Sequence, residues 1–312
     1  MRVLRILLIV IAVLAVVAFG AGRYLLGREA VPEKSDYTLD LTEIRRLATS
    51  LPGELPQRVN DEQVTQASLP KGAVFAGASL SEMHPMSHGA YQVVYGDGSY
   101  TLIDSAFDEQ LAKAMARGAA PSPFDNAAFD TIQKALAGAQ HIVLTHEHPD
   151  HIGGVAAFPD PQALIGRLIL SREQLENTAM MDAVKMPEAI RKNVSPLVYD
   201  KYYAVAPGIV LVRAPGHTPG SQMVYVKLAD GKELLFLGDV AWHMDQLRQL
   251  WYRPRLVTDF FIHENRAEVL AEFRTLHDLM EREPELQFVV SHDVDQRAEL
   301  LKSGVLGAHF QL

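Results

Sequence analysis

The stretch THEHPDHIGG, Thr145–Gly154, constrains this chain more than any other part of it. Three histidines, a glutamate and an aspartate fill five of six consecutive positions, and two glycines follow shortly after. A solvated loop does not need such a set and a buried core would not tolerate it, so the residues point to metal binding. The apolar HIVLT in front of it, His141–Thr145, reads as a short buried strand. Residues two apart on an extended chain point the same way, so His146 and His148 leave the strand end on one side, able to grip one ion. Pro149 suits the first turn of a helix, and Asp150 and His151 at its start can face a second position beside the first. Gly153 and Gly154 leave room for another backbone to come close.

Three later residues complete a ligand set. His217 in APGHTPGS, Asp239 in FLGDV and His292 in VVSHD each fall at or just past the end of an expected strand, where open α/β structures place their sites. The chain has no cysteine, which excludes disulfides, thiolate ligands and a cysteine nucleophile and leaves His, Asp and Glu to hold any metal. The set divides as His146, His148 and His217 on one ion and Asp150, His151 and His292 on another, with Asp239 between them. Nitrogen and oxygen donors without sulfur suit two divalent ions, zinc first, with manganese or iron as alternatives. Glu147 alternates away from its neighbouring histidines and reads as solvated or salt-bridged. His84 and His88, in SEMHPMSHG, read as loop residues, with a place on the rim of the pocket as the alternative. His141, His243, His263, His277 and His309 have no partner spacing and read as structural, and Met180, Met181 and Met186 read as core filling.

The amino terminus carries Arg2 and Arg5 and then runs uncharged from Ile6 to Gly22, 17 residues. That reaches the roughly 17–25 residues of a membrane span, so residues 1–27 read as an uncleaved anchor crossing at residues 3–26, with a cleaved secretory signal as the alternative. Arg2, Arg5 and the terminal amine favour an inside N-terminus, which places the rest outside the cytoplasm, in the periplasm if the source is bacterial. Residues 28–57, with Pro32, Pro52 and Pro56, read as a linker holding one short helix at Thr42–Ala48. Residues 58–312 read as the globular domain. Strand pairs at 89–105 and 221–240 and strands at 165–171, 208–214 and 287–291 are interleaved with helical patterns at 126–139, 172–196 and 266–281, which implies sheets covered by helices. The net charge of −9 argues against a nucleic-acid partner, since phosphate binding wants a basic face.

The His-x-His-x-Asp-His pattern at His146, His148, Asp150 and His151, followed by His217, Asp239 and His292, resembles the metallo-β-lactamase superfamily. The resemblance runs from about Gly89 to Asp293 and implies an α/β (α+β) fold, an αββα sandwich with its site at one edge. It also implies hydrolysis by a metal-bridging hydroxide, with Asp150 as the catalytic carboxylate and Asp104, in LIDS, supporting the ligands from behind. A bridging Asp239 argues against true β-lactamases, and His148 stands where di-iron members carry glutamate. GHTPGSQ and SHDVDQ resemble motifs of the quorum-quenching N-acyl homoserine lactonases. One departure is Trp242, three residues after Asp239, where those lactonases carry tyrosine. The expected function is dinuclear hydrolysis of a lactone or ester bond in a small-molecule substrate. Phosphodiester or thioester hydrolysis is the second reading, with Arg253 and Arg255 as possible cations for a phosphodiester. A membrane-tethered, metal-stabilised scaffold or sensor is the third.

Overall fold

Side-chain alternation along the strands decides how the layers stack. In the strand β7, Ile209–Arg213, Ile209 and Leu211 belong to one buried layer while Val210 and Val212 belong to another. The computed structural model, which describes residues 2–116 and 123–312, shows why two layers are needed. One sheet has six strands in the order β11 (Leu306–Ala308), β1 (Arg58–Pro70), β2 (Met83–Val94), β3 (Tyr100–Ile103), β4 (His141–Val143) and β5 (Leu168–Ile169). The other has five, in the order β10 (Leu286–Val289), β9 (Glu233–Phe236), β8 (Gln222–Lys227), β7 and β6 (Tyr202–Ala206). Ile103 and Val143 of the first sheet share a buried layer with Ile209, Leu211, Val224 and Phe236 of the second. On the outer side of the first sheet, Leu102 and Ile142 pack with Ile132 and Leu136 of the helix Asn126–Gly138. On the outer side of the second, Val210 and Val212 pack with Phe273 and Leu276 of the helix Arg266–Arg282. The result is the four-layered, mixed α/β sandwich expected from the sequence.

Strand direction gathers the loops. β3 runs parallel to β4, and β9 runs parallel to β10; β7 and β9, each antiparallel to β8, also share a direction. The segments leaving β3 and β4 therefore emerge on one side of the first sheet, and those leaving β7, β9 and β10 on one side of the second.

Two regions carry more structure than their sequence suggested. The helix Leu41–Ala48 forms where a short helix was expected, capped by Asp40. Yet its Ile44 and Ala48 are fully buried against the second sheet, and Arg45 reaches Glu233 at 2.7 Å and Glu283 at 2.9 Å. β1 and β11 pair with each other at the far edge of the first sheet. β1 escaped the hydrophobic pattern because Asn60, Asp61 and Glu62 are polar yet buried. Arg297 reaches Asp61 at 2.5 Å, and Glu62 accepts from the Phe310 backbone at 2.9 Å, which satisfies the two carboxylates. The methionine-rich segment forms three short helices, Arg172–Glu176, Thr178–Ala183 and Glu188–Asn193, with Met181 and Met186 in the core. At the amino terminus, Arg2–Leu26 is one continuous helix with none of its residues buried.

Candidate metal centre

β4 ends at Val143, and the chain then presents Thr145, His146 and His148 before the helix Pro149–Ala156 begins. His148 occupies the N-cap, and Pro149 the first helical position, where its missing N–H costs nothing. The two glycines let that helix sit down on the loop leaving β3. A Cβ on Gly154 would lie 2.0 Å from the Ser105 carbonyl oxygen, and one on Gly153 would lie 2.9 Å from Phe107 and Leu111 side-chain atoms. The Gly154 N–H donates to the Ala106 carbonyl at 2.9 Å, tying the two segments together.

The seven residues singled out in the sequence converge on two adjacent positions. At the first, His148 Nδ1 lies 3.1 Å from His146 Nε2 and 2.8 Å from His217 Nε2. Asp239 Oδ2 completes the group, 3.4 Å from His217 Nε2 and 3.8 Å from His146 Nε2. At the second, Asp239 Oδ1 lies 3.0 Å from His292 Nε2 and 3.3 Å from His151 Nε2. Asp150 Oδ2 stands beside them, 3.6 Å from His292 Nε2 and 3.7 Å from His151 Nε2. Asp239 thus stands between the two positions, with Oδ2 also 3.2 Å from His292 Nε2.

Hydrogen bonds at the back of each ring decide which nitrogen carries the proton. His151 Nδ1 faces Asp104 Oδ2 at 2.8 Å, His217 Nδ1 faces Glu264 Oε1 at 2.6 Å, and His292 Nδ1 faces the Ser87 carbonyl at 2.7 Å. Each of these partners only accepts, so each Nδ1 donates and each Nε2 keeps its lone pair pointing inward. Thr145 Oγ1 donates to Asp104 at 2.9 Å and so accepts from His146 Nδ1 at 3.1 Å. Lone pairs from His146 and His217 therefore both meet His148 Nδ1, which has at most one proton to share. Among the described residues, His151 Nε2 and Asp239 Oδ1 are buried with no hydrogen-bond partner. Such a cluster is costly on its own and is satisfied by cations, so the donor set fits two divalent ions held by nitrogen and oxygen.

The electrostatics differ between the two positions. At the second, despite burial, Asp104, Asp150 and Asp239 hold His151 well above the usual histidine range, and Asp239 and Asp150 raise His292. At the first, burial holds the His146 imidazole well below the usual histidine range and pushes His148 down to about 3, keeping both in the neutral form that ligates. Burial works to raise the Asp239 carboxyl, but His292, His151 and His146 around it hold it well below the usual carboxylate range. Asp150 is lowered in the same way, burial being outweighed by His151, His292 and His88.

Asp104 holds more than one partner. It sits in the left-handed backbone region at φ 62°, and its carboxylate accepts from the Thr145 N–H at 2.7 Å as well as from His151. A strained, non-glycine residue that positions a ligand is a common form of functional strain.

Three residues differ from their sequence reading or were not singled out. Glu147 is fully buried rather than solvated. It accepts from Asn177 Nδ2 and from Thr218 Oγ1, both at 2.8 Å, and burial raises its pKa. Those partners lie on the 172–196 segment and on the loop between β7 and β8. His88 is not a loop residue: it is buried in β2, with its ring 4.7 Å from that of His292 and its Nε2 3.5 Å from Asp150 Oδ2. Glu264, far from any recognisable motif, anchors His217 and is itself held by Arg253 at 2.5 Å and by the Tyr252 hydroxyl. No local pattern could have found it. The two arginines considered as phosphate contacts are both engaged: Arg253 is 0% exposed and paired with Glu264, and Arg255 pairs with Glu29 at 2.6 Å. Trp242 is buried and donates its indole N–H to Asp239 Oδ2 at 2.8 Å.

Known proteins share this frame. An N-acyl homoserine lactonase of Bacillus thuringiensis is 24% identical over 160 residues, which is 50% of this chain and 56% of that protein. The chain spans about half the length of the curated relatives it matches. Among solved structures, a quorum-quenching N-acyl homoserine lactone lactonase superposes with a TM-score of 0.61 at 17% identity, covering 80% of this chain and 97% of that one. AidC, a dizinc quorum-quenching lactonase, superposes with a TM-score of 0.50 at 16% identity over 75% of this chain and 86% of that one. At these identities the structural likeness speaks for the fold. Residues 88–281, more than half of the chain and including all seven converging side chains but His292, match the Metallo-beta-lactamase superfamily. The fold, the histidine–aspartate cluster and that match lead to one conclusion: this chain belongs to the metallo-beta-lactamase superfamily.

Proposed function

We propose that this chain is a membrane-anchored, dinuclear metal-dependent hydrolase of lactone or ester bonds in small-molecule substrates. The observation that carries the proposal is Asp239, whose Oδ2 faces His217 and His146 and whose Oδ1 faces His151, with His292 within reach of both oxygens. In this reading His146, His148 and His217 hold one ion, Asp150, His151 and His292 hold the other, and Asp239 serves both. Two divalent ions, zinc first among the candidates, supply Lewis acidity toward a carbonyl oxygen and a water that ionises at neutral pH. Asp104, Glu264 and the Ser87 carbonyl hold the ligand rings in register from behind. Asp150 is the catalytic carboxylate: it orients the attacking water and passes a proton to the leaving alkoxide.

The lactone or ester preference rests on the likeness to N-acyl homoserine lactonases and on the GHTPGSQ and SHDVDQ segments. The phosphodiester reading loses its cations, because Arg253 and Arg255 are already paired. The departure at Trp242 bears on which lactone or ester is used, since its N–H is committed to Asp239.

The anchor is the helix Arg2–Leu26, with a mean hydropathy of 2.9 in its most apolar window. Its 25 residues, at about 1.5 Å each, are long enough for a hydrocarbon core of roughly 30 Å. The rest of the chain then lies outside the cytoplasm. Extraction of the full-length protein from membranes by detergent but not by alkaline carbonate supports this arrangement; release as a shorter soluble form refutes it.

A screen of the full-length, zinc-loaded protein against lactones, esters, thioesters, phosphodiesters and β-lactams, with metal content assayed alongside, tests the activity. Turnover of a lactone or ester is expected, lost in Asp239→Asn. A protein holding two ions that turns over no lactone or ester ends the substrate assignment.

A further inference from the structure

The residue the sequence passed over, His88, stands against the second position, and the spacing there is informative. Asp150 Oδ2 has three imidazole nitrogens around it at nearly equal distances: His88 Nε2 at 3.5 Å, His292 Nε2 at 3.6 Å and His151 Nε2 at 3.7 Å. These separations are too long for hydrogen bonds. They match what one cation would impose, because two donors each about 2.1 Å from the same ion at a tetrahedral angle lie roughly 3.4 Å apart. The ligating atoms of His88, Asp150 and His292 all lie within 4.8 Å of one another, as do those of His151, Asp239 and His292. The two triads share His292.

The back of the His88 ring differs from those of His151, His217 and His292, which face protein acceptors. Its Nδ1 is buried and has no hydrogen-bond partner among the described residues, and Gln63 Oε1 is in the same condition. Both residues line a small cavity of about 10 Å³, together with Asp61, Tyr91 and Arg297, that Asp150, His151 and His292 also line. That is room for about one water. Such a water would accept a hydrogen bond from His88 Nδ1–H and donate one to Gln63 Oε1, leaving the Nε2 lone pair directed at the second position, as Asp104 does for His151.

We propose that His88 is an additional metal-facing donor at the second position, which raises its protein donors from four to five and makes it unlike the four-donor first position. The inference rests on the dinuclear reading and extends it. Five donors exceed the tetrahedral set that zinc favours in closed sites. The second position therefore prefers a cation of higher coordination number, such as manganese, iron or cobalt in the divalent state, while the first position, with three imidazoles and one carboxylate, suits zinc.

The test uses the full-length protein, wild type against His88→Ala and His88→Gln, titrated with cobalt and with zinc and read by metal analysis and visible absorption. Wild type is expected to bind two ions, the second giving a weak absorption typical of five- or six-coordinate cobalt. Both variants should bind the first ion unchanged and the second about 10- to 100-fold more weakly, with stronger absorption as its coordination number falls. Two ions bound with wild-type affinity and an unchanged cobalt spectrum in both variants overturn the role of His88 and leave the dinuclear reading intact. A wild-type protein that binds no metal overturns both. The glutamine variant keeps a polar side chain beside Asp150, so agreement between the two variants separates loss of a ligand from a folding defect.

Discussion

The indole N–H of Trp242 donates to Oδ2 of Asp239 at 2.8 Å, fixing the carboxylate oxygen that faces His217. The Arg253 guanidinium covers the same ring at 4.6 Å from its centroid. An indole can donate but cannot exchange its proton, so this contact orients Asp239 and does no acid–base work. Trp242→Phe keeps an aromatic ring and removes the donor. It is expected to lower kcat/KM or metal affinity about 10- to 100-fold, measured by steady-state kinetics and metal titration. Wild-type values for both would show that the indole does not orient Asp239.

Glu264 is a buried carboxylate shared by His217, Arg253 and Tyr252. Glu264→Gln leaves the Arg253 cation buried without a counter-charge, which is expected to cost about 3–5 kcal/mol in urea unfolding. Adding Arg253→Met should recover much of that loss without restoring the metal affinity tied to His217. Additive losses in the double variant would show that the two residues do not act as a pair.

Glu272, on the helix Arg266–Arg282, should give stability a pH dependence of its own. Burial pushes its carboxyl up to about 8 from 4.5, helped by Glu268 and Glu264 and opposed by a long contact from the Gly216 N–H at 3.4 Å and by the Arg253 cation. The folded chain therefore keeps this proton up to about pH 8, while the unfolded chain gives it up near 4.5. The contribution is full below 4.5 and is lost as pH rises to about 8. Glu272→Gln is expected to remove that slope and to gain on the order of a few kcal/mol near pH ~9, read from denaturant midpoints across pH. Parallel stability profiles for wild type and variant would contradict it.

Gly154→Ala tests the seat of the ligand helix. In an ordinary helix the change would stabilise by about 0.5–1 kcal/mol. Here the new Cβ meets the Ser105 carbonyl oxygen at 2.0 Å, so a loss of about 1–3 kcal/mol or more is expected by calorimetry, accompanied by weaker metal binding. Gly166→Ala is the control, since nothing lies within 4 Å of its Cβ position. Equal melting temperatures for the two variants would show that the close approach does not matter.

Most of the site was legible because its chemistry is packed into local patterns. Ten consecutive residues carry four of the seven converging groups, and short-range geometry alone says which way they face. His217, Asp239 and His292 could be found because each sits just past an apolar strand, a position that hydrophobic pattern marks well. The strands β7, β8, β9 and β10 and the helices at 126–138 and 266–282 were visible for the same reason. β1 was not, because its buried residues include Asn60, Asp61 and Glu62, whose burial depends on Arg297 and Phe310 from the other end of the chain.

The amino-acid sequence by itself determined which side chains could bind metal, the family they belong to and the order of the elements that bring them forward. Those properties follow from residue type and from spacing over a few positions. Only the tertiary structure decided that Glu147 is buried, that Trp242 donates to Asp239, that Glu264 backs His217 and that His88 stands beside Asp150 and His292. Each of those facts is a contact between groups that the sequence keeps apart or a burial that distant segments impose, and neither is written in local periodicity.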